Sequence, residues 1–581
     1  MASAVADSLD SFSTSMKPFK QFCHWCLHPH HLFLITLIVL LLPNVALCFT
    51  ERMSILAALA NVLLPGGAYW LLLTLSRKPG RMVWGLFFFI FLAAFQLVLL
   101  YLFGRSIIAV DMFLNLVTTN PGEAMELLDN MTPAIVGVVV VYVPVLTLGV
   151  MSILGKEEAS SAFLVRQRKV GGIVLGAGVL ALAGCYLSDK DYRAELQLYP
   201  ANVVYNMVLA GERTYQTEHY AETSRGFSFK AHATHPRNWR EVYVLVIGET
   251  ARSCEMGLYG YGRTVLPQLQ HEDGLVAFTN VLSQSNTTHK SVPMLLSAAS
   301  ATDYDRIYKE KGLIEAFREA GFHTTFLSNQ LPNHSFIDFF GEEADEWLFV
   351  KETSAEGKNT PDGALLPLVD KVLERKRAKE LIVLHTYGSH FNYRDRYPRA
   401  AARFRPDDAS EAKASNRGQL VNAYDNSILY TENFLCGLIQ RINQPGVASA
   451  MLYTSDHGEN IFDDARGLFL HASPIPSYYE LHVPFLVWLS DTYQAACPSV
   501  LPTLRANRKE PVASNASTFH TMLSLAGIAT PYRADTLSVA SDRLHSAPRS
   551  YLNDHNQAVS LERAGLGVED FLLLRQHSVT Y

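Results

Sequence analysis

Basic residues are in slight deficit: 49 Lys and Arg stand against 55 Asp and Glu, for a net charge of −6. No cationic surface for nucleic acid is implied, and nucleic acid is excluded as a partner. Cysteine is sparse, with seven in 581 residues. Only Cys254, Cys436 and Cys497 fall in the soluble part, and their spacing does not describe a disulfide framework. No internal repeat is visible, so solenoids and propellers are excluded. The first apolar run lacks a clear small-x-small site and more runs come after it, which argues against a cleaved leader.

The first third of the chain is rich in apolar length. Five runs approach or reach the roughly 20 residues that cross a bilayer: 32–49, 53–75, 82–103, 133–154 and 170–187. The last is rich in Gly and Ala, which predicts close helix packing. Lys17 and Lys20, then Arg77, Lys78 and Arg81, then Lys156, Arg166, Arg168 and Lys169 fall on one side of these spans. The loop between the third and fourth spans is acidic. The basic side belongs to the cytoplasm, and five crossings carry everything after Leu187 to the outer side of a bacterial inner membrane.

These features divide the chain into a cytoplasmic tail over 1–31, a five-span domain over 32–187 with a surface loop at 104–132, a linker with a bridging helix over 188–239, and a periplasmic domain over 240–581. Cys23 and Cys26 with His24, His28, His30 and His31 read either as a metal site or as a juxtamembrane tail. The apolar spacing of loop 104–132 predicts a helix on the membrane surface.

From residue 240 onward short apolar runs alternate with helical patterns. Strands are predicted over 242–247, 323–328, 380–385, 448–453 and 484–489, with helices over 312–320, 365–375 and 422–442. That alternation predicts an α/β domain with a mostly parallel sheet between helices. The runs end in polar residues: Gly248-Glu249-Thr250, Asn329-Gln330, His385 with Gly388-Ser389-His390, and Ser455-Asp456-His457-Gly458-Glu459. In open α/β sheets the site lies beyond the carboxyl ends of the strands. A hydroxyl-rich segment, Ser283 to Ser291, precedes an apolar helical run beginning near Met294 and reads by composition as a helix N-cap.

Taken in order, Gly248-Glu249-Thr250-Ala251-Arg252, Thr288-His289-Lys290-Ser291-Val292-Pro293, Tyr387-Gly388-Ser389-His390, Asn422-Ala423-Tyr424-Asp425-Asn426 and Ser455-Asp456-His457-Gly458-Glu459 resemble the bacterial phosphoethanolamine transferases. These are lipopolysaccharide-modifying enzymes of the alkaline phosphatase–sulfatase superfamily. The resemblance covers nearly the whole chain, because that family also has five spans before a catalytic domain. It implies a tightly held zinc bound by Glu249, Thr288, Asp456 and His457, with Thr288 as the nucleophile. His390 and His471 would hold the phosphate, as positive side chains, or a second, weaker zinc. Asn115 and Glu123 match positions near the lipid headgroup, and Asn329 a polar residue beside the phosphate.

The donor implied is phosphatidylethanolamine, with lipid A, core sugars or another surface glycan as acceptor. The consequence is lower surface negative charge and weaker binding of cationic peptides such as polymyxin. A directly bound cation suits a threonine nucleophile, because the hydroxyl attacks poorly at its free pKa. The imidazole favours zinc, while oxygen-rich ligation also admits manganese.

The chain departs from the pattern where cysteines commonly flank the nucleophile, having Ser285 and Met294 there. Lys290 stands where an aromatic residue is common; it contacts a substrate phosphate or is a solvated surface lysine. Rival readings are a phosphoglycerol transferase, a sulfatase or phosphodiesterase, and an inactive envelope protein. No Cys/Ser-x-Pro-x-Arg segment lies near Thr288, as a sulfatase aldehyde requires.

Overall fold

A computed structural model describes residues 21–104, 107–118, 132–353, 360–409, 411–545 and 549–581. Two compact units divide the chain, Met1–Phe113 with Leu127–Ala210, and Leu114–Glu126 with Gly211–Tyr581.

The first unit is helical. Pro29–Thr50, Ile55–Leu73, Thr132–Leu154 and Ser161–Ser188 are each long and apolar enough to cross a membrane. The third predicted span is not one straight helix: Pro79–Gly85 and Phe87–Tyr101 meet at 63°, so the count is four, or five if the bent pair is one span. The break falls at Gly85 and Leu86, where a residue without a side chain weakens the helix interior. The small residues of the last span do pack closely. A Cβ on Gly67 would lie 2.4 Å from the Leu175 amide nitrogen, and one on Gly178 would lie 2.5 Å from that of Leu64. Two buried asparagines exchange bonds between the first two helices, Asn44 Nδ2 to the Asn61 carbonyl at 2.7 Å and Asn61 Nδ2 to the Asn44 carbonyl at 3.0 Å. A helix, Val110–Thr118, occupies part of the predicted surface loop.

The bridging helix expected in the 188–239 linker runs over Ala201–Glu218. It starts after Pro200, whose missing amide is costly inside a helix and harmless before one, and continues through Gly211, whose cost of about 1 kcal/mol is small enough to absorb.

The second unit is built on a seven-stranded sheet. In chain order its strands are β1 Glu241–Gly248, β2 Leu275–Ala277, β3 His323–Ser328, β4 Glu346–Phe349, β5 Lys379–His385, β6 Ala448–Ser455 and β7 Phe485–Leu489. Their spatial order is β2-β7-β6-β1-β5-β3-β4. Strands β6, β1, β5, β3 and β4 run parallel, and β7 pairs antiparallel with both β6 and β2. All five predicted strands are present. The two unpredicted ones, β2 and β4, are three and four residues long, too short to show a period.

Every residue of β1 and β6 is buried, as expected for central strands covered on both faces. Two apolar clusters cover the sheet, one using Tyr243, Leu245 and Ile247 of β1, the other Val242, Val244 and Val246. This alternation is the pleat of a strand with a core on each side. Helix Arg417–Ile442 packs into the second cluster through Leu420, Ile428, Leu435 and Ile439. The register sets Gly248 beside Ser455, and Ile247 beside His385. Three strands therefore deliver their next residues to one place.

Candidate active site at the strand ends

Glu249 comes directly after β1, and Asp456 and His457 directly after β6. All three are buried, at 1, 0 and 0% exposure. The Thr288–Leu295 helix brings the nucleophile candidate to them, with Thr288 as its first residue after the N-cap Thr287. The helix begins well before the run near Met294 that composition marks, because Thr287 supplies the extended turn that starts it. Thr288 Oγ1 lies 3.0 Å from His457 Nε2 and 3.4 Å from Glu249 Oε1. His457 Nε2 is 3.2 Å from Asp456 Oδ2 and 3.7 Å from Glu249 Oε1. Four ligands about 2.0 Å from one tetrahedral zinc would be separated by about 3.3 Å, and these spacings bracket that value.

The donor set fits a cation on two further grounds. Asp456 Oδ2 is buried and accepts no hydrogen bond. His457 Nδ1 faces the Gly458 carbonyl at 2.9 Å, which fixes the tautomer whose Nε2 lone pair turns toward the acids. Without a cation the charges do not suit neutral pH. Burial pushes the Asp456 carboxyl up to about 7 and His457 well below the usual histidine range. Among the described residues, Glu249, His457 and His471 are the group of His, Cys, Asp or Glu whose ligand atoms lie within 4.8 Å of one another. The Cys23–His31 cluster forms no such group; the His28 ring meets His30 edge-on and His31 at a tilt, while His31 stacks on Trp25 and His30 on Phe163.

The rim is partly open where the floor is closed. Thr288, His289, Gln330, His390 and His471 are all half-buried. The His471 ring lies 4.2 Å from that of His457 and 5.7 Å from that of His390. The two rim histidines were expected to be positive together, and they differ. Burial opposes charge on both. The Glu459 carboxylate, 3.3 Å from His471 Nδ1, overcomes it there and raises the His471 pKa. His390 has no such acid, and burial with the neighbouring His471 holds it well below its usual range. The two rim histidines are thus shifted in opposite directions, His471 toward its charged form and His390 toward its neutral one.

The turns need their glycines. Gly388 has φ +49°, and a Cβ there would meet the Glu249 carbonyl oxygen at 2.6 Å; a Cβ on Gly458 would meet the Tyr479 carbonyl oxygen at 2.0 Å. Thr250, next to Glu249, also has positive φ, at 54°. Two loop hydroxyls tie the nucleophile segment to the metal side: Ser283 Oγ and Ser291 Oγ both donate to the Asp456 carbonyl at 2.6 Å.

Other sequence candidates land elsewhere. Asn329 is buried and donates to Asp362 Oδ1 at 2.8 Å and the Thr360 carbonyl at 2.7 Å. Its neighbour Gln330, given no role from sequence, donates from Nε2 to Glu249 Oε2 at 3.2 Å and to the Thr386 carbonyl at 2.9 Å. Both are polar residues ending one strand, and only the turn decides which faces the site. Asp362 carries no local mark in the sequence; it accepts the Tyr387 and Gly388 amides at 2.8 and 2.9 Å and so shapes the turn carrying His390. Lys290 is not a solvated surface lysine: it is 2% exposed and its Nζ donates to the Asn553 carbonyl at 2.9 Å. Asn115 lies on helix Val110–Thr118, with its side chain outside the described residues, as is Glu123.

The sulfatase family model matches residues 241–528. The Kdo(2)-lipid A phosphoethanolamine 7''-transferase of Escherichia coli K12 is 31% identical over 280 residues, 46% of this chain and 47% of that protein. The chain thus spans about half the length of such curated relatives. The integral membrane lipooligosaccharide phosphoethanolamine transferase A of Neisseria meningitidis superposes with a TM-score of 0.68 at 23% identity, covering 87% of this chain and 97% of that one. The periplasmic domain of E. coli EptC in complex with Zn superposes with a TM-score of 0.53 at 24% identity, covering 58% and 97%. These two likenesses establish the fold: apolar N-terminal helices followed by a sulfatase-like α/β domain. The family match is confined to residues 241–528, and over that stretch the chain is similar to the sulfatases.

Proposed function

We propose that the chain is a zinc-dependent phosphoethanolamine transferase of the bacterial inner membrane, working at the periplasmic face. The observation that carries this reading is the Thr288 hydroxyl, half-buried, 3.0 Å from His457 and 3.4 Å from Glu249. A hydroxyl held among buried ligands is placed to act as a covalent nucleophile once a cation activates it. The names of the relatives point to the same transfer.

Glu249, Asp456, His457 and Thr288 would hold the ion, with His390 and His471 facing the phosphate or a second, weaker one. A bound divalent cation would lower the pKa of the Thr288 hydroxyl and draw charge from the phosphate oxygens. The residues do the rest. Thr288 Oγ1 attacks the phosphorus of phosphatidylethanolamine, and the bond from phosphorus to the diacylglycerol oxygen breaks. Diacylglycerol leaves with the proton that the Thr288 hydroxyl gives up, and the His471 imidazole at the rim is placed to relay it. An acceptor oxygen on lipid A or a core sugar then attacks phospho-Thr288, releasing the threonine hydroxyl and giving up its proton in turn. The positive end of the Thr288–Leu295 helix supports the charge that develops at phosphorus. Lys290, Asn329, Asn115 and Glu123 stay as donor or acceptor contacts in this reading, Lys290 and Asn329 through the loops they hold. The domain limits, 1–31, 32–187, 188–239 and 240–581, belong to the same scheme.

The test is mass spectrometry of lipid A from cells expressing the protein or its Thr288→Ala variant. A phosphoethanolamine increment with the first and none with the second is expected, together with lower polymyxin susceptibility. An increment that survives Thr288→Ala would sink the covalent route. No increment from intact membrane protein would redirect the acceptor to another periplasmic glycan or the donor to phosphatidylglycerol.

A further inference from the structure

The nucleophile segment carries no covalent brace, since all seven cysteines are free. Thr288 must nonetheless be held to a fraction of an ångström against three buried ligands. Two sets of hydrogen bonds do the holding. One is internal to the family domain. Asn515, buried on helix Ser514–Leu525, accepts from the Gln284 amide at 2.6 Å, with its Oδ1 3.1 Å from Ser283 Oγ. It donates to Ser291 Oγ at 2.7 Å and the Ser291 carbonyl at 3.1 Å. Asn515 therefore grips the chain on both sides of Thr288.

The second set comes from beyond residue 528, where the family match ends. A two-stranded hairpin pairs Tyr551–Leu552 with Ala558–Val559. The Tyr551 hydroxyl donates to Asn286 Oδ1 at 2.6 Å, and the Leu552 amide to the Gln284 carbonyl at 2.7 Å. Ser550 Oγ accepts from Gln284 Nε2 at 3.1 Å, and the Asn553 carbonyl accepts from Lys290 Nζ at 2.9 Å. Four consecutive hairpin residues thus lie along 284–290. Asn286 is itself fully engaged, donating to the Ser473 carbonyl at 2.7 Å and Glu480 Oε1 at 2.8 Å. Its amide cannot turn to find another donor if Tyr551 lets go.

We propose that this C-terminal hairpin is a clamp on the nucleophile loop, with Tyr551 as the positioning residue that sets Thr288 through Asn286. The proposal rests on Thr288 being the nucleophile. Tyr551→Phe deletes one hydroxyl and leaves Asn286 Oδ1 buried without its donor, an asymmetry that favours loop movement over quiet loss. Displacement of a reacting group by about an ångström costs on the order of a hundredfold in rate. Lys290→Met releases the other end of the clamp.

Two readouts on the full-length protein in phosphatidylethanolamine vesicles test this. The first is amide hydrogen exchange over 284–291; the second is kcat and KM for headgroup transfer. Tyr581→Phe, a change in the same C-terminal segment away from the loop, is the control. Tyr551→Phe is expected to speed exchange over 284–291 and to lower kcat about tenfold to a hundredfold, with KM, zinc content and melting temperature near those of the parent. Lys290→Met is expected to move both readouts in the same direction. Unchanged exchange in Tyr551→Phe would overturn the clamp whatever the activity. Faster exchange with parental kcat would overturn its positioning role. Faster exchange in a protein whose parent transfers no headgroup would leave the clamp standing and bring down the transferase reading instead.

Discussion

The two ends of one sheet treat buried charge in opposite ways. At the amino end, the first residues of β1, β3, β4 and β5 are Glu241, His323, Glu346 and Lys379, and they find protein partners. Glu241 is fully buried, 2.9 Å from Lys379 Nζ and 2.7 Å from His235 Nδ1. Burial alone would raise its pKa, but the bonds to His235 and Tyr243 and the ion pair with Lys379 win and lower it. Glu346 lies between Arg375 and Arg377 and is lowered as well, the Arg375 contact being the largest cause. At the carboxyl end, one strand length further along β1 and β6, Glu249 and Asp456 both face the imidazole of His457, whose pKa is lowered. Asp456 is as buried as Glu241, yet burial pushes its pKa up to about 7, and the more distant His471 only partly opposes that. The same fold thus solves a charge problem at one end and poses it at the other, and the end that poses it carries the hydroxyl. Unsolved charge in a buried cluster is a mark of a functional site awaiting a ligand.

This contrast can be attacked from either end. The largest effect is expected from Asp456→Asn. Transfer should fall by about a thousandfold or more, on the order of 4 kcal/mol, while the zinc-free protein should become more stable at pH 7, because a penalised buried charge has gone. Assays of transfer and urea unfolding with chelator would check both, and a zinc-free variant less stable than its parent would refute the contrast. Glu241→Gln should do the reverse: zinc content and the site stay intact, but stability at pH 7 drops by about 3–5 kcal/mol as Lys379 and His235 lose their counter-charge. Because the folded pKa of Glu241 is depressed, its contribution is present above the unfolded value and lost as pH falls through the folded one. The gap between parent and variant should therefore close in acid.

A smaller effect is expected from chelation alone. The folded pKa of Asp456 lies above its unfolded value, so between about pH 4 and 7 the zinc-free native state binds the extra proton. Its stability should then fall as pH rises across that window, by about 2–4 kcal/mol from this group, and zinc should abolish the slope. Denaturant titrations at several pH values with and without chelator would show it. The smallest effect is Gln330→Ala. Its amide holds the outer oxygen of Glu249, and loss of such a contact typically weakens metal affinity or activity by about tenfold. Zinc titration by competition with a chromophoric chelator measures this; parental affinity and rate would assign Gln330 to the loop only.

Much of the site could be read in advance, and the reason is local. β1, β5 and β6 are apolar runs that stop at polar residues, and a central parallel strand must deliver its next residues to the carboxyl edge. Glu249, Asp456 and His457 were legible for that reason. Asn329 and Gln330 were not separable, because both end β3 and the turn alone directs Gln330 to Glu249 and Asn329 to Asp362. Lys290 read as a surface residue or a phosphate contact, since no pattern in its segment announces that a hairpin residue 263 positions later will bury it.

The features that the sequence by itself determined are therefore those that one strand, one helix or one span carries alone: apolar length, the parallel core of the sheet, and the acids and histidines at its ends. Tertiary structure alone decided the rest. It raised the pKa of His471 and left that of His390 lowered by placing Glu459 beside only one of them. It bent the third apolar helix, paired Glu241 with Lys379, and laid Tyr551 against Asn286. Each of these depends on which distant group arrives to share a buried position. Burial turns a contact of a few ångströms into the difference between a charged and an uncharged side chain, and sequence spacing carries no record of it.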